Sequence, residues 1–172
     1  MNAVLAEIIS KFNNPMTVYC KIQEYQTYHV AGNGYRFLHD TRFIVNGTLM
    51  SLPSGICAAF NSYQTDKKIT VYYTTIFEHT PIFEDLIREE HRRIEALGIT
   101  VNPNRDLPKE GWTHVLILVQ GCHWIAVKKE EDSFTCYDPA TGEEKPSNSM
   151  IAAIQELGYK PESINGLYIC IS

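Results

Sequence analysis

GCHWIAVKKEEDSFTCYDPATGE, residues 121–143, holds two runs of β-branched, aromatic and alternating residues around an acidic tip. His123–Lys128 and Ser133–Tyr137 read as antiparallel strands joined by a turn centred on Glu130-Glu131. That register sets His123 directly across from Asp138. Directly opposed residues have Cβ atoms about 4.5–5.5 Å apart and point to one face. The carboxylate can then accept a proton from one imidazole nitrogen, which fixes the tautomer and leaves the other nitrogen as a base. A slip of one residue would turn one partner away.

Outward from this hairpin, His114–Val119 reads as a third strand of the same meander, and Leu167–Ile171 as a final strand. Ser149–Leu157 reads as a helix ended by Gly158. Upstream, Pro81–Leu97 carries an apolar stripe of Ile82, Phe83, Leu86, Ile87, Ile94 and Leu97, with proline at its start and Gly98 after its end. Ile69–Ile76 is β-branched and aromatic, as a strand requires. Ser54 is an N-cap candidate for a helix whose first turn holds Cys57. Asn2–Phe12 has helical spacing and is stopped by Asn13-Asn14-Pro15. Between them, Thr17–Ile22 and Thr41–Val45 look strand-like, with turn signals at Gly32-Asn33-Gly34 and Asn46-Gly47. Helices first and a meander last predict an α+β fold, with N-terminal helices packed on a C-terminal antiparallel sheet in a single domain spanning residues 1–172.

Composition narrows the function. The chain has 172 residues, 44% of them hydrophobic, enough for one buried core and too apolar for disorder. A formal charge of −5 argues against a nucleic-acid partner, which calls for a basic face. No apolar run approaches the roughly 20 residues of a membrane span. Met1–Phe12 has no basic region followed by an apolar core, so it does not read as a signal peptide. The expected location is the cytoplasm of the producing cell, or a target cell reached by a signal-peptide-independent route.

The five cysteines are Cys20, Cys57, Cys122, Cys136 and Cys170, an odd count with no CxxC pair. They read as reduced thiols rather than a disulfide framework or zinc site, and neither metal nor cofactor is called for. Cys57 is the nucleophile candidate, because unpaired N–H groups and the dipole at a helix start favour a thiolate. An imidazole nearby would complete a thiolate–imidazolium pair, and the Cys57 N–H would serve an oxyanion. The second oxyanion donor is not evident; Asn46 and Gln120 are the candidates. The plain alternative is that Cys57 is a packed core thiol and DPATG only a good turn.

The remaining residues rank lower. Cys122 points away from His123 on a strand, Cys136 shares the face of Asp138 as packing, and Cys20 is the rival nucleophile. His79, His91 and His114 show no metal-ligand spacing, Trp124 reads as core, and Glu89–Arg93 as a solvated helix face with local ion pairs.

GICAAF at 55–60, HWIAV at 123–127 and YDPATGE at 137–143 together resemble the papain-like cysteine effectors of bacterial pathogens. These include the YopT-type effector proteases, and the pattern is similar to that of papain-fold glutamine deamidase toxins. In both groups cysteine, histidine and aspartate come in this order. The resemblance covers three short segments and lacks the tryptophan often found later in the cysteine helix. It implies a papain-like fold with Cys57, His123 and Asp138 as triad, acting on a peptide bond or side-chain carboxamide of a host or competitor protein. It also implies an immunity protein or chaperone as a partner. A peptidoglycan amidase, a transglutaminase and a catalytically silent papain-like binding module share the same scaffold, and the triad does not choose among them.

Overall fold

The computed structural model describes residues 44–45, 48–49, 53–62, 66–74, 81–103, 105–120 and 123–172. The expected helix Asn2–Phe12, strand Thr17–Ile22 and turn at Gly32-Asn33-Gly34 lie outside the described residues. Two short strands, β1 (Ile44–Val45) and β2 (Thr48–Leu49), pair antiparallel on either side of residues 46–47. Then follow α1 (Pro53–Ser62), β3 (Ile69–Tyr73), α2 (Pro81–Ala96) and β4 (Thr100–Pro103). The last part contains β5 (His114–Val119), β6 (His123–Glu130), β7 (Ser133–Asp138), β8 (Glu143–Ser147), α3 (Met150–Glu156), a 3-10 turn (Pro161–Ser163) and β9 (Ile164–Ile171).

β3 to β9 form one seven-stranded sheet in the order β4-β3-β9-β5-β6-β7-β8. The sheet is mixed rather than purely antiparallel, because β3 and β4 run parallel. A parallel pair needs a crossover, and α2 supplies it. β4 was not expected from TVNP, where only Val101 is buried. Nor was β8, whose EEKPS has no apolar alternation. An edge strand presents one side to solvent and tolerates a proline such as Pro146, so neither the pattern nor the composition announces it.

The expected one-sided packing is also corrected. HVLILV of β5 is buried on both faces, and such a run requires apolar cover on both sides. On one face Leu116, Leu118, Trp124, Ala126, Ile169 and Ile171 pack with Ile56, Cys57 and Phe60 of α1 and Ile94 of α2. On the other, Val115, Ile117, Val119, Ile125, Val127 and Cys136 pack with Ala153 and Ile154 of α3. Helices therefore cover both faces of the sheet, and the C-terminal helix belongs to the second.

α2 and α3 end in the same way. After each, a glycine at positive φ (Gly98 at 77°, Gly158 at 89°) turns the chain, with its N–H bonded three residues back. The next residue's N–H reaches the carbonyl five residues back, Ile99 to Ile94 and Tyr159 to Ile154. This is the Schellman geometry, in which the residue after the glycine folds back onto the helix's own apolar face. Ile99 joins the first core in this way, and Tyr159 packs against the second. At its other end α3 is capped by Ser149, whose hydroxyl accepts from the Ala152 N–H.

Candidate active site

The β6–β7 hairpin turns at Glu131-Asp132, pairing Glu130 with Ser133 and Ala126 with Tyr137. Its register therefore differs by two residues from the expected one, and Asp138 sits diagonal to His123 instead of directly opposite. A two-residue shift conserves the face, so the pairing of side chains survives. His123 Nε2 lies 2.8 Å from Asp138 Oδ1. Both side chains are on the α3 face, the face of Ile125 and Cys136.

Asp138 is only 3% exposed, yet every bond it needs is supplied locally. Pro139 fixes the turn so that the Ala140 N–H donates back to Oδ1 at 2.8 Å, an Asx turn. Tyr159 donates its hydroxyl to Oδ2 at 2.6 Å. The Tyr159 ring also stacks on the imidazole of His123, with centroids 6.0 Å apart and planes 24° from parallel. Burial alone would raise the acid's pKa, but the hydrogen bonds from Tyr159, Ala140 and His123 outweigh it and hold the carboxyl below its ordinary value. An ionised Asp138 only accepts, so Nε2 must carry the proton and the neutral imidazole has its lone pair on Nδ1. Among the described residues nothing is hydrogen-bonded to that nitrogen.

Cys57 is placed differently from the expectation. Pro53 suits the first helical position, so α1 begins there and not after Ser54. Cys57 is then the fifth residue of the helix, where the N–H bonds within the helix rather than standing free. Ser54 is not a cap: its N–H and hydroxyl bond Glu90 Oε2 and Oε1 at 2.8 and 3.0 Å. Cys57 is 0% exposed and packs in the core that contains Trp124, on the face opposite His123. Burial, and next the charge of Glu90, push its thiol far above the ordinary range. The structure thus brings His123 and Asp138 together and does not bring Cys57 to them.

The other expectations divide. Cys136 lies buried on the face of Asp138, its thiol pushed up to about 12 by burial and then by the aspartate's charge. Cys170 is likewise raised to about 12 by burial. Cys57, Cys136 and Cys170 are all free thiols. Cys20, Cys122, Asn46 and His79 lie outside the described residues. Gln120 is exposed at φ 53°, with its N–H bonded to the Ser163 carbonyl. Glu90 corrects the reading of Glu89–Arg93 as a solvated face, since it is buried, while Glu89 does pair with Arg92 and Arg93. His91 joins the Tyr73 hydroxyl to Glu95, and no group of three or more metal-ligating side chains exists among the described residues.

Tyr159 is the site residue that sequence reasoning missed. Its signal is the glycine before it, which in the sequence marks a helix stop and in the structure also turns Tyr159 back onto the sheet. Compared with known proteins, the chain matches no protein-family model, no curated protein and no solved structure.

Proposed function

We propose that the chain is a papain-like thiol hydrolase in which Asp138 orients His123 as the general base. The observation that supports this reading is the grip of an ionised, buried aspartate on Nε2, which leaves Nδ1 as a directed base. A thiolate would attack a peptide or side-chain carboxamide carbonyl, forming a tetrahedral intermediate and a new C–S bond. The imidazolium of His123 would give its proton to the departing amine or ammonia as the C–N bond breaks. Water, deprotonated by the same imidazole, would then cleave the thioester and release the acid. Cys57 is the nucleophile that the sequence favours. In the buried arrangement its thiol is protonated and lies across the sheet from His123, so this role requires α1 to leave its place on the sheet and not merely to slide along it. The choice of a protein target, as a bacterial effector protease or glutamine deamidase, rests on the resemblance alone, and peptidoglycan stems remain the third substrate class to screen.

A second reading has its own support. The complete burial of Cys57 and its place across the sheet from His123 favour a catalytically silent papain-like binding module. Site-by-site alkylation with iodoacetamide from pH 5 to 9, in wild type and His123→Ala, separates the two. The hydrolase reading expects one cysteine to react fast near about pH 6 and to lose that advantage without the imidazole. Fast Cys57 identifies it as the nucleophile, and fast Cys20 moves the role there. If every thiol is inert or titrates near about 8.5, the hydrolase reading falls and the binding module stands.

A further inference from the structure

We propose that Tyr159 is the positioning residue of the His123–Asp138 pair, fixing both the carboxylate that holds the imidazole and the plane of the ring itself. This rests on His123 being the base of the site. Two independent contacts carry it. The phenol donates to Asp138 Oδ2 at 2.6 Å, so the carboxylate cannot rotate about its terminal bond without losing that bond or the one from Ala140. The phenol ring lies against the imidazole, which limits rotation of His123 about its own side-chain bonds. Each contact alone would leave one freedom open, and together they define which nitrogen carries the proton and where the other points.

The fold delivers Tyr159 to this place for a local reason. Gly158 at φ 89° closes α3, and the Tyr159 N–H bonds the Ile154 carbonyl at 3.3 Å. That turn lays the ring over the second core beside Asp138 rather than letting the chain run on into solvent. A tyrosine needed only for packing could place its hydroxyl in water. Here the hydroxyl is spent on a buried carboxylate that already accepts two other bonds. The remaining groups around the pair do not duplicate this role. Cys136 is a buried neutral thiol, and Glu143, opposite Asp138 in the last ladder, is exposed.

The test is nitrogen NMR of the histidine side chains in the full-length chain, comparing wild type with Tyr159→Phe and Tyr159→Leu. Wild-type His123 should show a single Nε2–H tautomer at neutral pH with a slowly exchanging ring proton. Tyr159→Phe, which retains the ring and removes one bond to a charged acceptor, should speed that exchange on the order of tenfold and let the Nδ1–H tautomer appear. Tyr159→Leu should do so more strongly; if it fails to fold, the phenylalanine variant decides alone. An unchanged tautomer and exchange rate in folded Tyr159→Phe overturns the proposal. The measurement uses no thiol and no substrate, so it can fail while the alkylation test succeeds, and the reverse.

Discussion

Asp138 shows how a carboxylate can be both buried and charged. Three donors from three places converge on it: an imidazole from β6, the backbone just after it, and a phenol from beyond α3. Because the folded pKa lies below the ordinary value, its stabilisation is fully present above the ordinary carboxylate range. It is lost as pH falls through the folded value. Asp138→Ala should therefore cost about 3 kcal/mol at pH 7, leaving the Tyr159 hydroxyl and the Ala140 N–H without their acceptor. The gap from wild type should narrow as pH falls below the ordinary carboxylate range, read from urea midpoints at several pH values. A gap that stays constant through that range would mean that folding does not lower the pKa of the aspartate. At this scale the sequence was informative about the pair, because strand periodicity alone puts His123 and Asp138 on one face. It could not fix the register, since the acidic tip Glu130-Glu131-Asp132 offers two equally polar places to turn.

Among the elements, α1 and α2 are joined by a buried polar lock rather than by apolar contact alone. Ser54 gives Glu90 two hydrogen bonds across the helix pair, and the N–H it offers is one of the orphan donors of the α1 start. The carboxylate on α2 thus does the capping work expected of a residue before α1. Glu90→Ala should lower stability by about 2 kcal/mol and Ser54→Ala by about 1 kcal/mol, with the double variant costing less than their sum. Additive losses would show that the two residues act separately. Removing the Glu90 charge should also lower the Cys57 pKa, although burial, the larger cause, keeps it above that of a free thiol. This lock was legible in principle. Glu90 falls at helical spacing from Leu86, Ile87 and Ile94, so it belongs to the apolar stripe, but as one of six consecutive charged or ionisable residues it reads as surface.

Across the whole molecule, the sheet stands between the His123 site and the Cys57 thiol, and that separation is what the sequence could not reveal. Local periodicity assigns a strand its two faces, but the face a distant helix covers is decided by long-range packing that leaves no pattern in Pro53–Ser62. The two cores also differ in how they hold their thiols. Cys136 and Cys170 are inside β7 and β9, each hydrogen-bonded to strands on both sides. Cys57 rides on α1, a ten-residue helix docked by Ile56, Cys57 and Phe60 and by the bonds to Glu90. A short helix held by few side chains opens at lower free energy than the middle of a sheet. In increasing urea at neutral pH, Cys57 should therefore become alkylatable before the main transition, and Cys136 and Cys170 together within it. Such early opening would free Cys57 from its core, a first requirement if it is to act with a histidine on the other face of the sheet. If the three thiols instead become reactive at one midpoint, α1 is part of the single cooperative unit. Cys57 is then a structural residue, and any nucleophile for His123 must be sought at Cys20.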